Sequence, residues 1–225
     1  MIFFHLFYDL NYFGIIYIKM HSYPLFYFFL PFPVIFFLLV GISLTLSYNR
    51  VKNKLDSSLI LKKFAFRSLK IFSLAIIITI VSYFYLKDGF ILFGVLHFIA
   101  LSIILAYPFI KQKSSVLFFG IIIIIFGIFL YNYTFHFNFL LWLGFTPYGF
   151  YTLDYYPLLP WFGFILIGIF IGNRFYTDYK RRFNLSDFSD IRVIKFLSFL
   201  GKKSLLIYFL HQPIIVGIIY LYLLI

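Results

Sequence analysis

The chain has 225 residues, of which 64% are hydrophobic and 12% charged, with a formal net charge of +12. That charge fraction is about half that of a soluble domain, which excludes an ordinary globular fold. With no cysteine, disulfides, thiolate nucleophiles and cysteine-based zinc or haem sites are also excluded.

Apolar residues come in successive runs, each close to the roughly 20 residues that a spanning helix needs. In chain order the predicted spans are 1–18, 25–47, 68–86, 90–110, 115–133, 157–173 and 204–224. Uninterrupted runs such as Ile121–Ile125 followed by Phe126 lack the period-two alternation of a barrel strand. No basic leader or small-residue cleavage site marks a signal peptide at Met1. The expected fold is an all-α, polytopic transmembrane bundle of about seven spans, with 1–225 as a single domain. The segment Phe135–Tyr156 is aromatic but interrupted by Gly144, Pro147 and Gly149. It reads as a re-entrant or interfacial stretch.

Charge orients this bundle. Arg50, Lys52, Lys54, Lys62, Lys63, Arg67 and Lys70 follow the second span, and Lys111 and Lys113 follow the fourth. Arg174, Lys180, Arg181, Arg182, Arg192, Lys195, Lys202 and Lys203 follow the sixth. Only Lys19 and Lys87 fall in the alternate loops. Basic loops stay cytoplasmic, so a multi-pass cell-membrane protein is expected with its N-terminus inside and its C-terminus outside. The same asymmetry explains the net charge without nucleic acid. Residues 174–203 read as a basic surface segment with an interfacial helix.

Ionisable groups within spans cost at least about 2.5–3.5 kcal/mol each, so they mark candidate sites. His5 and Asp9 are spaced i, i+4 on one helix face, as a general base and its orienting acid or as a structural ion pair. His97 either lines a site or bonds across a helix contact. His211 lies in Tyr208-Phe-Leu-His-Gln-Pro213. Pro213 frees the carbonyl near Phe209, which His211 or Gln212 would answer unless they line a cavity. His21 and His136 fall on the outer side. Asp154 does too, before a rigid entry with two prolines and Trp161. No metal motif, phosphate loop or nucleophile elbow occurs.

The segments Met1–Leu10, Phe36–Ser43, Phe93–Ala100, Asp154–Gly163 and Gly201–Pro213 together resemble the transmembrane acyltransferases of the heparan-α-glucosaminide N-acetyltransferase catalytic-domain family. The resemblance spans essentially the whole chain. It implies acetyl-CoA as a cytosolic co-substrate, with no tightly bound cofactor, and an acetyl group delivered to an acceptor on the other side. It also implies an early histidine acting in transfer, for which His21 is the best match. His5 stands where the animal enzyme has an asparagine near its active site. Relatives usually carry a basic-acidic stretch and an Arg-Gly pair before this first helix, which leaves two expectations: the start is internal, or the natural start lies upstream.

The resulting expectation is acetyl transfer to an amine or hydroxyl of a sugar or lipid-linked sugar. His21 or His5 takes the acceptor proton or carries the acetyl group, and Asp9 or Asp154 orients the base. His97 and Trp161 are expected to bind substrate or cofactor, and His211, Gln212 and the basic rim of Lys202, Lys203 and Arg174 to face the CoA phosphates. Expected partners are membrane lipid, the small-molecule or lipid-linked acceptor, and a second copy of the chain in a homodimer. The alternative is a proton-coupled transporter or flippase for a polar metabolite, with the histidines as a relay. A catalytically inactive scaffold is a third reading.

Overall fold

An apolar segment in lipid must answer its own backbone groups, and a helix does so within one segment. The computed structural model describes residues 2–17, 28–86, 88–112, 114–177, 180–184 and 190–224, and among those residues the regular structure is helical apart from one two-residue strand pair. The elements are α1 (Ile2–Tyr12), α2 (Pro31–Val51), α3 (Ser57–Tyr85), α4 (Val95–Ala106), α5 (Ser115–Leu130), α6 (Leu158–Phe175), α7 (Arg192–Lys202) and α8 (Ser204–Leu223). A 3-10 turn, Tyr107–Phe109, prolongs α4. The strands Tyr176–Thr177 and Lys180–Arg181 pair antiparallel after α6.

Four of these helices, α2, α3, α6 and α8, are long and apolar enough to cross a membrane. They correspond to the expected spans 25–47, 68–86, 157–173 and 204–224. Of the other three expected spans, 90–110 and 115–133 are met by the shorter apolar helices Val95–Phe109 and Ser115–Leu130. The first, 1–18, is an 11-residue helix, ended near Gly14, which adopts the left-handed φ of 73°. Seven full-length spans are therefore not what the described residues contain. For α4 and α5 the reason is a long-range pairing: the chain before α4 and after α5 leaves the helix to build a hydrogen-bonded layer. Helix α3 differs in the other direction. It has 29 residues, about 43 Å at 1.5 Å per residue, against a hydrocarbon core of about 30 Å. Lys62, Lys63, Arg67 and Lys70 thus lie on its first turns and not in a loop.

The chain forms two units, Phe32–Phe183 and Met1–Pro31 with Asn184–Ile225. In the larger unit the core gathers Phe37, Phe98, Ile165, Leu166 and Ile169, all shielded from solvent. Helices α2 and α6 approach through glycine. A Cβ on Gly41 would run into the Ile165 carbonyl and the Ile169 nitrogen, and one on Gly168 into the Leu38 backbone. Small residues at such crossings let backbones come close enough for dispersion to hold helices together. Hydroxyls add polar ties: Ser68 donates to the Ala100 carbonyl at 2.6 Å, joining α3 to α4. The Asn173 side chain donates to Ile110 and Gln112 carbonyls, both at 2.9 Å.

The segment 131–157 is irregular, as its glycines and proline indicate, and its backbone is well answered. Phe135 N–H donates to Thr146 at 3.0 Å, and Tyr148 N–H to Phe135 at 3.1 Å. It also ties to the stretch before α4: Leu153 N–H donates to Gly89, Tyr156 N–H to Phe93 and the Thr152 hydroxyl to Phe90.

In the smaller unit α1 packs on α8, and α7 leads into α8. Helix α7 is the expected surface helix: no residue on it is buried, and Val193, Phe196, Leu197 and Phe199 stand beside Arg192 and Lys195.

The glycine crossing yields a prediction. Gly41→Ala places a methyl against backbone that cannot rotate away, so it should destabilise by about 1–3 kcal/mol and lower the melting temperature in detergent. Gly217→Ala, with nothing within 4 Å, should leave it unchanged or raise it. Equal melting temperatures for Gly41→Ala and wild type would remove this crossing as a stabilising contact.

Candidate functional site

In the smaller unit, α1 and α8 bring together four of the expected site residues. The i, i+4 spacing of His5 and Asp9 places both on one face of α1. From α8, the Gln212 amide nitrogen donates to both Asp9 carboxylate oxygens, at 3.0 and 2.9 Å. The His5 and His211 rings meet edge to face with centroids 4.9 Å apart. Asp9 and His211 are both buried. Asp9 lies within electrostatic range of the His211 ring.

His211 does not answer the Phe209 carbonyl expected to be freed by Pro213. Its Nδ1 faces the Tyr208 carbonyl at 2.7 Å and the Ile207 carbonyl at 3.2 Å. A carbonyl only accepts, so Nδ1 carries the hydrogen and donates. Two buried acceptors in this cluster, His211 Nε2 and Gln212 Oε1, have no hydrogen-bond partner among the described residues. Unanswered buried polar atoms are uncommon in folded chains and call for an explanation.

In the larger unit His97 and Asp154 form a second polar group around the start of α4. The Gly94 N–H donates to His97 Nδ1 at 3.3 Å. The opposite nitrogen, Nε2, therefore carries the hydrogen toward the Thr79 hydroxyl at 3.3 Å, which donates onward to the Ile91 carbonyl at 2.7 Å. Ser82 accepts from the Ile91 N–H at 3.1 Å. Both ring nitrogens of His97 are thus occupied by its own fold, which favours the helix-contact reading over a substrate contact. Asp154 accepts the Val95 N–H at 3.0 Å, at the positive end of α4, where a carboxylate is stabilised. Thr79 and Ser82 are not singled out by the sequence reading; hydroxyls within an apolar helix are the available signal.

The remaining expected residues lie apart from these groups. Trp161 stacks with Phe37, Tyr156 and Phe164 at 5.3–5.9 Å in an aromatic cluster of the larger unit. Lys202 and Lys203 are exposed where α7 meets α8. Arg174 lies in the last turn of α6 and His136 is exposed in the irregular segment. His21 lies outside the described residues. Among the described residues no cluster of three or more metal-ligating side chains occurs.

Burial pushes the Asp154 carboxyl up to about 6 from its ordinary 3.8, against the opposing hydrogen bond from Val95. Tyr156 is pushed above its usual range by burial and, second, by the Asp154 charge. A carboxyl raised in the folded state binds its proton more readily there than in the unfolded chain. Its contribution to stability is present below about pH 4 and is lost as pH rises through about 6. Wild type should therefore lose melting temperature between pH 4.5 and 6.5. Asp154→Asn, which keeps an oxygen for Val95, should show a flatter profile. Parallel profiles would mean that Asp154 does not titrate in this window.

No curated protein and no solved structure matches the chain. Residues 1–213 match the family model described as heparan-alpha-glucosaminide N-acetyltransferase, catalytic, a match that runs through both units and ends two residues beyond His211. Apolar helices that fit a membrane, and a family whose name is that of an acetyltransferase, agree with each other, and the chain belongs to this family.

Proposed function

We propose that the chain is a transmembrane acyltransferase that moves an acetyl group from cytosolic acetyl-CoA to an amine or hydroxyl of a sugar or lipid-linked sugar on the outer side. The observation that carries this reading is the meeting of His5, Asp9, His211 and Gln212 between two apolar helices. Four polar side chains there are costly unless they act, and the family's chemistry needs a base.

The acceptor's nitrogen or oxygen attacks the thioester carbonyl. A new C–N or C–O bond forms, the C–S bond breaks and CoA leaves as its thiolate. The acceptor's proton passes to a histidine and then to the thiolate. His21 and His5 are the proposed bases, or the site of a transient acyl-histidine. Lys202, Lys203 and Arg174 are proposed for the CoA phosphates, whose negative charges suit Lys and Arg. The topology proposed with this chemistry is seven membrane passages, N-terminus cytoplasmic and C-terminus outside, which requires α1, α4 and α5 to cross as short helices with their flanking layers. A homodimer and bound membrane lipid belong to the same proposal.

A proton relay in a transporter also uses paired intramembrane histidines beside an acid, and the His5–His211 contact fits it. The two readings differ in their need for CoA. Acetyl-CoA should raise the melting temperature of the purified protein, and incubation should release CoA thiol that a thiol reagent can read, since the chain itself has no cysteine. Neither effect would be seen for the transporter. In the same assay His21→Ala should abolish transfer with its melting temperature retained; full activity would remove His21 from the mechanism.

A further inference from the structure

Catalysis by this chain requires one group that receives the acceptor's proton, and the geometry of the α1–α8 cluster singles out an atom for it. We infer that His211, through Nε2, is the proton-accepting group of the acetyl transfer, with Asp9 as the charge that stabilises the imidazolium formed. This rests on the acyltransferase reading above. It moves the proton transfer from His21 and His5 to His211, and it replaces the CoA contact expected of His211 from the sequence.

Three observations converge. Nδ1 of His211 donates to the Tyr208 carbonyl at 2.7 Å and faces the Ile207 carbonyl at 3.2 Å, so the neutral ring holds its hydrogen there and its lone pair at Nε2. That is the tautomer a general base needs, and it is fixed by backbone. Nε2 is itself buried and meets no hydrogen-bond partner among the described residues. A buried lone pair left open costs about 1–3 kcal/mol, a cost that an incoming N–H or O–H would remove. Finally, a positive charge created on the ring would not be isolated. The Asp9 carboxylate lies within electrostatic reach and is held by the Gln212 amide at both oxygens. An acid that orients or balances a histidine while the histidine takes the proton is a division of labour found on unrelated folds.

The groups facing His211 are His5 and Asp9 from α1 and Tyr208 from its own helix. His97 makes a useful contrast. Both of its ring nitrogens are engaged by Gly94 and Thr79, leaving no lone pair to receive a proton. Asp9 and Gln212 are positioning residues in this scheme. In the chemical step the acceptor's N–H or O–H bond breaks as the bond to the acetyl carbon forms. The proton moves to Nε2, the C–S bond breaks, and the imidazolium returns the proton to the departing thiolate. No other reactant is needed.

His211→Asn separates a structural role from a chemical one. The asparagine amide nitrogen takes the place of Nδ1 and can still donate to Tyr208, while Nε2 is removed. With acetyl-CoA and glucosamine, and with water as the fallback acceptor, thiol release is measured for wild type, His211→Asn and His211→Gln. Melting temperatures are read alongside. The inference predicts a melting temperature for His211→Asn close to wild type and kcat lowered about 100-fold or more, the usual scale of a general base. KM for acetyl-CoA should change little. Near-normal kcat in either variant overturns it. Absence of turnover in wild type sinks the acyltransferase reading and the inference with it, whereas turnover in wild type with unaffected variants sinks the inference alone. Should both variants fail to fold, nitrogen NMR of histidine-labelled wild type decides the point. A His211 ring bearing its hydrogen on Nε2 overturns the assignment, and one bearing it on Nδ1 supports it.

Discussion

The contact on which the candidate site depends is the one between the Gln212 amide and the Asp9 carboxylate, made by residues 203 positions apart in the chain. A carboxylate inside an apolar bundle has few ways to persist. It must find donors in the protein, and Gln212 supplies one amide nitrogen to both oxygens at 2.9–3.0 Å. That bond fixes where α1 lies on α8, and the edge-to-face meeting of His5 with His211 follows on the same faces. Removing either partner leaves a buried polar group unanswered, which is more damaging than the bond is favourable.

Two polar groups among the described residues answer this constraint differently. At the start of α4 the larger unit satisfies its polar groups: His97 is held at both nitrogens, Thr79 passes its hydrogen to Ile91, and Asp154 accepts from Val95, while further along α4 the buried Ser102 hydroxyl meets no partner among the described residues. Such a network reads as architecture, fastening the stretch before α4 to α3 and to the segment before α6. The α1–α8 cluster is short of donors instead. It gathers a carboxylate, an amide oxygen and an imidazole lone pair, of which the last two meet no partner among the described residues. Completed networks rigidify, and acceptors left open in an incomplete one call for an explanation. Two histidines that look alike in sequence thus differ in what their ring nitrogens meet.

Much of the fold was legible because hydropathy and length are one-dimensional signals. The spans at α2, α3, α6 and α8 stand within a few residues of their expected places at most ends, and α7 falls in the basic segment 174–203 where a surface helix is expected. The departures have long-range causes. Residues 88–94 leave the helix because Gly89, Phe90 and Phe93 bond to Leu153, Thr152 and Tyr156, and no local pattern announces a pairing across some 60 positions. The start of α3 was misplaced because its lysines looked like loop. At the site, the shared face of His5 and Asp9 followed from helical periodicity alone. That Gln212 would grasp Asp9, or that Tyr208 and not Phe209 would receive the His211 hydrogen, depends on how two distant helices meet. His97 was balanced between two readings because a histidine's role is set by what its nitrogens touch.

The central claim is that Asp9 and Gln212 act as one unit that joins the ends of the chain into a site. A double-mutant cycle measures this most directly. Melting free energies in detergent would be compared for wild type, Asp9→Leu, Gln212→Leu and the double variant. A direct contact in a buried network predicts a coupling energy of about 0.5–3 kcal/mol, with the double variant less damaged than the sum of the singles. Effects that add to within about 0.3–0.5 kcal/mol would contradict the account, because residues that do not touch behave that way.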